Sequence, residues 1–230
     1  MIPDVYLITK LLSDKSRMQI LDVLMDGTAH TVNEIASYTN IKQHTVSYHL
    51  KLLHEANLVT VQSYGKFRYY SIKDTPAVKI FEVLSNFSPE RPTKSFNQHF
   101  RKKELKQART CYDHIAGELG VAITQSFITL DFFYEGENEF YLTPKGELYF
   151  KEKLGFDLEN IYKKKRKFCI KCLDWSERKN HLAGAFAKEI LDFLITNKHI
   201  KQSEGSRALK LTESGHEFLK KEWAISISTS

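Results

Sequence analysis

Cysteine is scarce in this 230-residue chain: there are three, all beyond residue 110. An odd number placed so late excludes a disulfide framework as the basis of the fold and fits a reducing compartment. No apolar run reaches membrane-spanning length, and the first residues, MIPDVYLITKLLSDK, lack a basic head followed by an apolar core. The expectation is a cytoplasmic protein with no membrane partner. Also missing are a Gly-rich phosphate loop, a Gly-x-Ser-x-Gly elbow and a His-Glu-x-x-His pair. Those absences argue against an enzyme. A strong excess of one charge is lacking too: the net charge is +6 and the pI about 9.0, mild enough only to suggest a polyanionic partner.

What is present is ordinary for a soluble globular chain, with 42% hydrophobic and 27% charged residues. The length allows one large domain or two smaller ones, each with its own core. Patterning favours two, over 1–87 and 97–230. Residues 88–96 hold Pro89 and Pro92 close together and read as a linker. The overall class is mainly α with small β-hairpins (α+β).

The first domain opens with an apolar helix, PDVYLITKLL, and a second, DKSRMQILDVLMDG, with Met18, Leu21 and Leu24 on one side and Gly27 as a stop. Thr31 with Glu34 three residues on forms a capping box for a third helix with Ile35 turned inward, and Asn40–Ile41 make a turn. The next helix runs from about Lys42 to Ala56. At 100° per residue Val46, Leu50 and Leu53 share a buried stripe. His44, Ser47, Tyr48 and Lys51 face the other way, with Gln43 and Thr45 near the leading end. That outer face carries donors, acceptors and a ring but no acid, so it can approach phosphates. Gln suits adenine, His suits guanine, and Ser suits several bases. A polar solvent face is the plainer reading.

The following stretch, LVTVQSYGKFRYYSI, alternates as a hairpin. Val59, Val61, Phe67, Tyr69 and Ile72 are expected on one side, with the turn at Tyr64–Gly65. Lys66 and Arg68 lie at the tip, in reach of a phosphate or the minor groove. A helix that reads bases beside a hairpin that grips backbone is a winged helix-turn-helix. The segment DTPAVKIFEVLSNF (74–87) then reads as a helix, with Thr75 as cap, Pro76 at its first position, and Ala77, Ile80, Phe81, Leu84 and Phe87 in one stripe.

The run LLSDKSRMQILDVLMDG…VNEIASYTNIKQHTVSYHLKLLHEANLVTVQSYGKFRYYSI resembles the DNA-binding domain of ArsR/SmtB-type bacterial transcriptional regulators, over about residues 8–87. The resemblance implies a homodimer paired through the first helix and 74–87, repression of transcription, and release from double-stranded DNA when an inducer binds. The family's DNA-contacting positions match Gln43, His44, Ser47 and Tyr48. Where the family has a small hydroxyl residue at the start of this helix, the chain has Lys42, a weaker cap that adds a phosphate contact. The metal ligands of the family's sensors do not carry over: Thr31, Val32 and Asn33 replace the cysteines, and 74–87 holds neither His nor Cys.

The second domain contains an internal repeat. HIAGELGVAITQSFITL…YLTPKGELYF (about 114–155) and HLAGAFAKEILDFLITN…KLTESGHEFL (about 181–222) share His, Gly, Thr and Gly at His114/His181, Gly117/Gly184, Thr143/Thr212 and Gly146/Gly215. The expectation is two duplicated helix–hairpin–helix, winged-helix-like units. The segments RTCYDHIAGELGVAI and CLDWSERKNHLAGAF resemble a subgroup of these regulators with an added C-terminal domain, and the inducer does not follow from the motif. Phe127, Phe132, Phe133, Tyr134 and Trp175 can line an effector pocket, or form plain core.

CYDH and CIKC each place two soft ligands three apart, and His181 opens the second repeat. Cys111, His114, Cys169, Cys172 and His181 can therefore hold zinc or another thiophilic metal, or respond to redox state. The plainer expectation is no cofactor, with the cysteines as small core residues and the histidines as helix-start caps or core hydrogen-bonders. The basic run with Lys163, Lys164, Lys165, Arg166, Lys167 and Lys171 can touch flanking DNA or be a solvated surface. Residues 1–73 hold eight Lys/Arg against six Asp/Glu, a net of only +2, which makes such a second contact useful. The competing classes are a metal- or redox-responsive sensor and a winged-helix protein–protein adaptor.

Overall fold

The computed structural model describes residues 4–64, 67–72, 76–89, 103–202 and 206–227. The chain divides into two compact units near residue 102, and 204–207 group with the first. The expected linker at 88–96 lies, from residue 90 onward, outside the described residues, as do Gly65, Lys66 and Thr75.

In the first unit α1 (Val5–Leu12), α2 (Lys15–Leu24), β1 (His30–Thr31), α3 (Val32–Thr39), α4 (Gln43–Glu55), β2 (Val59–Tyr64), β3 (Phe67–Ile72) and α5 (Pro76–Asn86) follow in order. Local chemistry sets the boundaries. Asp14 caps α2 by accepting from the Arg17 N–H at 2.9 Å, and Gly27 at φ +79° follows its end. The capping box at Thr31 and Glu34 is complete: the Glu34 N–H donates to Thr31 Oγ1 at 3.3 Å and the Thr31 N–H to Glu34 Oε2 at 2.8 Å. Asn40 stops α3 in the left-handed region at φ +57°. Lys42 makes no side-chain cap on α4, as its chemistry requires.

Ile20, Leu24, Ile35, Val46, Leu50 and Leu53 form the core of this unit, all at 0% exposure. Sheet order is β1-β3-β2. The hairpin corrects one expectation. Tyr64 pairs with Phe67, so two residues connect the strands and Tyr64 is the last paired residue rather than part of the turn. With a two-residue connection, odd positions of β2 share a face with even positions of β3. Val59 and Val61 therefore stand opposite Ile72 and Tyr70, which pack on the core. Phe67 and Tyr69 lie on the other face, and Phe67 is exposed.

The second unit follows the order β4 (Arg109–Cys111), β5 (His114–Ala116), α6 (Glu118–Thr129), β6 (Phe133–Glu135), β7 (Phe140–Leu142) and α7 (Pro144–Leu148), which runs into a π-helical turn at Tyr149–Lys153. After α8 (Leu158–Lys163) come β8 (Ile170–Leu173), β9 (Asn180–Ala183), α9 (Ala185–Thr196), β10 (Ile200–Gln202), β11 (Leu209–Leu211) and α10 (Glu213–Trp223). Hairpin, helix, hairpin, helix thus occurs twice. The matched positions behave alike. Gly117 and Gly184 precede their helices at φ +79° and +102°, where a side chain would be strained. Thr143 and Thr212 each accept from the N–H of the glycine three residues on, at 2.9 and 3.0 Å.

The expectation that each repeat opens on a helix is corrected here. His114 and His181 sit in strands β5 and β9, and neither is a helix cap. A three- or four-residue strand is too short to show the period of two in the sequence. The core is aromatic: Phe127, Phe133, Phe150, Phe186 and Trp223 are buried together, with Trp223 edge-on to Phe127 at 4.9 Å. No helix among the described residues is long and apolar enough to cross a membrane.

Candidate nucleic-acid interface

Helix α4 separates its two faces sharply. Val46, Leu50 and Leu53 are sealed at 0%, while Tyr48 is 60% exposed. Lys42, Gln43, His44, Ser47 and Lys51 are also exposed, and Thr45 is half-buried. The outer face is acid-free only through its leading turns, since Glu55 pairs with Lys51 at 3.9 Å one turn further on. Arg68 is exposed on β3, and Lys66 lies outside the described residues. His49, on α4, was not singled out by periodicity. It is buried and lies 3.9 Å from Asp14 at the start of α2, which links the helix that faces outward to the helix beneath it. The backbone N–H of Arg17 is the largest influence holding the Asp14 carboxyl below the usual range, with the Arg17 charge and the neighbouring His49 adding to it against the effect of burial.

Residues 12–62 match the helix-turn-helix domain family. Over 213 residues the chain is 40% identical to the uncharacterized HTH-type transcriptional regulator YdfF of Bacillus subtilis, covering 93% of this chain and 94% of that protein. The chain belongs to the ArsR/SmtB-type helix-turn-helix transcriptional regulators. Other relatives match a shorter stretch of the chain. The transcriptional repressor SdpR of B. subtilis is 35% identical over 78 residues, 34% of this chain and 86% of that one. The arsenical resistance operon repressor of the same organism is 34% identical over 65 residues, 28% of this chain and 62% of that protein. Among solved structures, a possible transcriptional regulatory protein (fragment 1–100) from Mycobacterium bovis is 29% identical, covering 37% of this chain and 91% of that one at a TM-score of 0.35. This regulator is thus a DNA-binding protein of a class that carries no catalytic centre.

The cysteine and histidine candidates of the second unit part company. Cys111, His114, Cys172 and His181 come together, with one potential ligand atom from each and all four atoms within 4.8 Å of one another. Register explains it. Cys111 is the cross-strand partner of His114 in the β4–β5 pair, and Cys172 that of His181 in β8–β9. Directly opposed residues on adjacent strands hold their Cβ atoms about 5 Å apart. Each hairpin thus presents one Cys/His pair. Cys169 does not join them. It is buried in the core, and burial pushes its thiol far above the ordinary range, so it is not a reactive thiolate.

Two carboxylates surround this cluster. Asp174, 0% exposed, accepts from Arg109 Nη2 at 3.0 Å, the Gly117 N–H at 2.7 Å and the Ser176 N–H at 2.9 Å, and faces His181 Nδ1 at 3.4 Å. Burial alone would raise its carboxyl; His181, Arg109 and the Gly117 N–H outweigh this and hold it far below the usual range. Asp113 faces His114 Nδ1 at 3.7 Å and takes a two-pronged contact from Arg166. Trp175, expected in an effector pocket, instead covers the Arg109 guanidinium at 4.6 Å.

The other pocket candidates do not line one cavity. Phe127, Phe132 and Phe133 are core, and Tyr134 is exposed and stacked on Tyr141 at 5.1 Å. The basic run is largely paired inside the unit. Lys164 meets Glu189 at 3.1 Å, Lys167 meets Glu139 at 2.6 Å and Lys171 meets Glu135 at 2.7 Å, while Arg166 holds Asp113. Periodicity could not reveal these partners, because each comes from an element distant in sequence.

Proposed function

We propose that this regulator is a homodimeric repressor that reads an inverted-repeat operator with α4 of each protomer, grips the flanking backbone with the β2–β3 wing, and leaves DNA when an effector engages the second unit. The observation that carries the reading is the exposed face of Gln43, His44, Ser47 and Tyr48 over a fully sealed Val46–Leu50–Leu53 stripe. Lys42, Thr45, Lys51, Lys66 and Arg68 complete the proposed contacts. Repression is supported by the names of the two relatives called repressors. Pairing is supported by apolar surface on the first and last helices of the unit: Val5 and Tyr6 at 66% exposure on α1, and Val83 at 54% on α5, with Phe87 just beyond it at 87%.

Selection of bound sequences from random DNA, followed by gel shift on the best site, tests the proposal. Two half-sites about one helical turn apart, roughly 34–36 Å, are expected. Ser47→Ala with Tyr48→Ala should relax sequence preference while the fold survives. Unchanged selectivity, or only weak and salt-sensitive association as for an adaptor, would overturn it. Sedimentation as a monomer at micromolar concentration would overturn the dimer.

A further inference from the structure

We propose that Cys111, His114, Cys172 and His181 bind one zinc-class divalent ion in a closed tetrahedral site that staples the β4–β5 hairpin to the β8–β9 hairpin. The geometry is that of a tetrahedron's edges. Zinc–sulfur and zinc–nitrogen bonds of about 2.3 and 2.0–2.1 Å require sulfur–sulfur and nitrogen–nitrogen separations of about 3.8 and 3.3 Å. Cys111 Sγ and Cys172 Sγ are 3.9 Å apart, and His114 Nε2 and His181 Nε2 are 3.1 Å apart. The sulfurs are far outside the bond length of a disulfide, about 2.05 Å.

The second argument concerns the imidazoles. Nδ1 of His181 faces the Asp174 carboxylate and Nδ1 of His114 faces that of Asp113. Neither Nδ1 makes a hydrogen bond, so the carboxylates are their nearest charged neighbours, and both rings are buried. A carboxylate on the Nδ1 side of each ring favours the tautomer protonated there, which leaves the Nε2 lone pair for a metal. In that tautomer the two Nε2 lone pairs face each other at 3.1 Å, an arrangement that a cation between them stabilises. Carboxylate–histidine–metal arrangements orient ligands in this way. Two thiolates and a divalent ion sum to zero charge, which suits a site whose Cys111, His114 and His181 are all buried. Binding follows as Zn²⁺ plus two thiols, with release of two protons and no redox change. The mixed sulfur–nitrogen donor set favours zinc over the hard cations. With four protein ligands no open position is left, so the site is structural rather than catalytic.

All four ligands lie in the second unit, so metal uptake can be measured without DNA and its failure is distinguishable from failure of operator binding. The test uses the full chain purified under reducing conditions without chelator. Elemental analysis should find one zinc per chain. After chelation, titration with Co²⁺ should saturate at one equivalent and give intense tetrahedral d–d bands with thiolate-to-cobalt charge transfer, displaced by Zn²⁺. Cys111→Ser and Cys172→Ser should each weaken the charge-transfer band, Cys169→Ala should leave spectrum and stoichiometry unchanged, and Asp113→Asn should lower metal affinity by about 10-fold or more. Failure of the unsubstituted protein to take up stoichiometric Co²⁺ in a tetrahedral sulfur site would overturn the proposal whatever the variants do. So would metal-free protein carrying a Cys111–Cys172 disulfide, or loss of the cobalt spectrum in Cys169→Ala.

Discussion

Substituting the two faces of α4 should give opposite signatures, and the magnitudes follow from exposure. Leu50 is at 0% exposure in a core with Ile20, Leu24, Ile35, Val46 and Leu53. Leu→Ala at such sites costs about 2–5 kcal/mol, with the spread set by how far the neighbours collapse. Helices α2 and α3 and strand β2 all pack around α4, which limits collapse, so a loss of about 3 kcal/mol is expected for Leu50→Ala. In a domain of this size that lowers Tm by roughly 10–20 °C. Tyr48 is 60% exposed and only meets the His49 ring edge-on at 5.4 Å. Tyr48→Ala removes little packing and gains helix propensity, so stability should move by less than about 0.5 kcal/mol. Affinity should move the other way. A lost base contact costs about 1–3 kcal/mol, so Tyr48→Ala should bind the operator at least several-fold more weakly. Leu50→Ala, measured at 10 °C where it remains folded, should bind almost normally. Thermal and urea unfolding by circular dichroism, with fluorescence anisotropy on one operator, measure both. A Tyr48→Ala protein destabilised by more than about 1.5 kcal/mol, or a Leu50→Ala protein destabilised by less than about 1 kcal/mol, would refute the assignment of faces.

Three further outcomes are expected. Asp174→Ala strands Arg109, whose side chain is 2% exposed, and should cost about 3–5 kcal/mol in urea unfolding; adding Arg109→Met should recover much of it, and a single-variant loss under about 1 kcal/mol would contradict the buried pair. The Asp26 carboxyl is held below its ordinary range: burial alone would raise it, and the hydrogen bond with His30 at 3.0 Å and those from Thr28 prevail. A depressed carboxyl stabilises above its unfolded value of about 3.9 and loses that contribution as pH falls toward its folded value. The stability gap between the parent and Asp26→Asn should therefore be full at pH 6 and close below about pH 4, and a gap that widens on acidification would show the sign to be wrong. A Cβ added to Gly215 would lie 2.0 Å from His199 O, so Gly215→Ala should cost about 1–3 kcal/mol, and a neutral result would mean the two backbones are further apart.

The first unit was readable because its signals are local. A capping box, a left-handed Asn40 and an apolar stripe at helical spacing each act within four residues, and Thr31, Asn40 and Leu50 stand where these rules put them. The hairpin faces were misassigned because register depends on where pairing ends. One more paired residue at Tyr64 decides which of Tyr69 and Tyr70 meets the core. In the second unit the soft ligands stood out as residue types, but not their grouping. Cys111 and His114 are three apart, whereas Cys172 and His181 are nine apart, because the second hairpin carries a longer loop. The closely spaced Cys169–Cys172 pair misleads, since residues three apart on an extended segment point to opposite faces. Arg109, buried against Asp174, gave no signal, since an arginine in sequence looks like surface until its partner 65 residues away is known.

Charge makes the proposed pairing more than an inherited habit. Residues 1–73 carry a net of only +2, and the exposed cations that α4 and β3 offer among the described residues are Lys42, Lys51 and Arg68. Each phosphate neutralised contributes about 0.9 to the slope of log affinity against log salt. With Lys66 of the wing, one protomer thus supplies a slope of about −4, which gives little grip at physiological salt; two protomers on one operator supply about −7. The basic run cannot easily make up the difference, because Lys164, Arg166, Lys167 and Lys171 are already held by Glu189, Asp113, Glu139 and Glu135. Recruiting them would leave those four carboxylates facing the duplex. Operator binding of the dimer should therefore show a slope of about −7. Val83→Glu with Phe87→Glu, which places charge on the exposed apolar surface of α5, should yield a monomer with a slope of about −4 and a much weaker complex. A parent slope near −1 would mean that α4 and the wing do not lie along the phosphates at all.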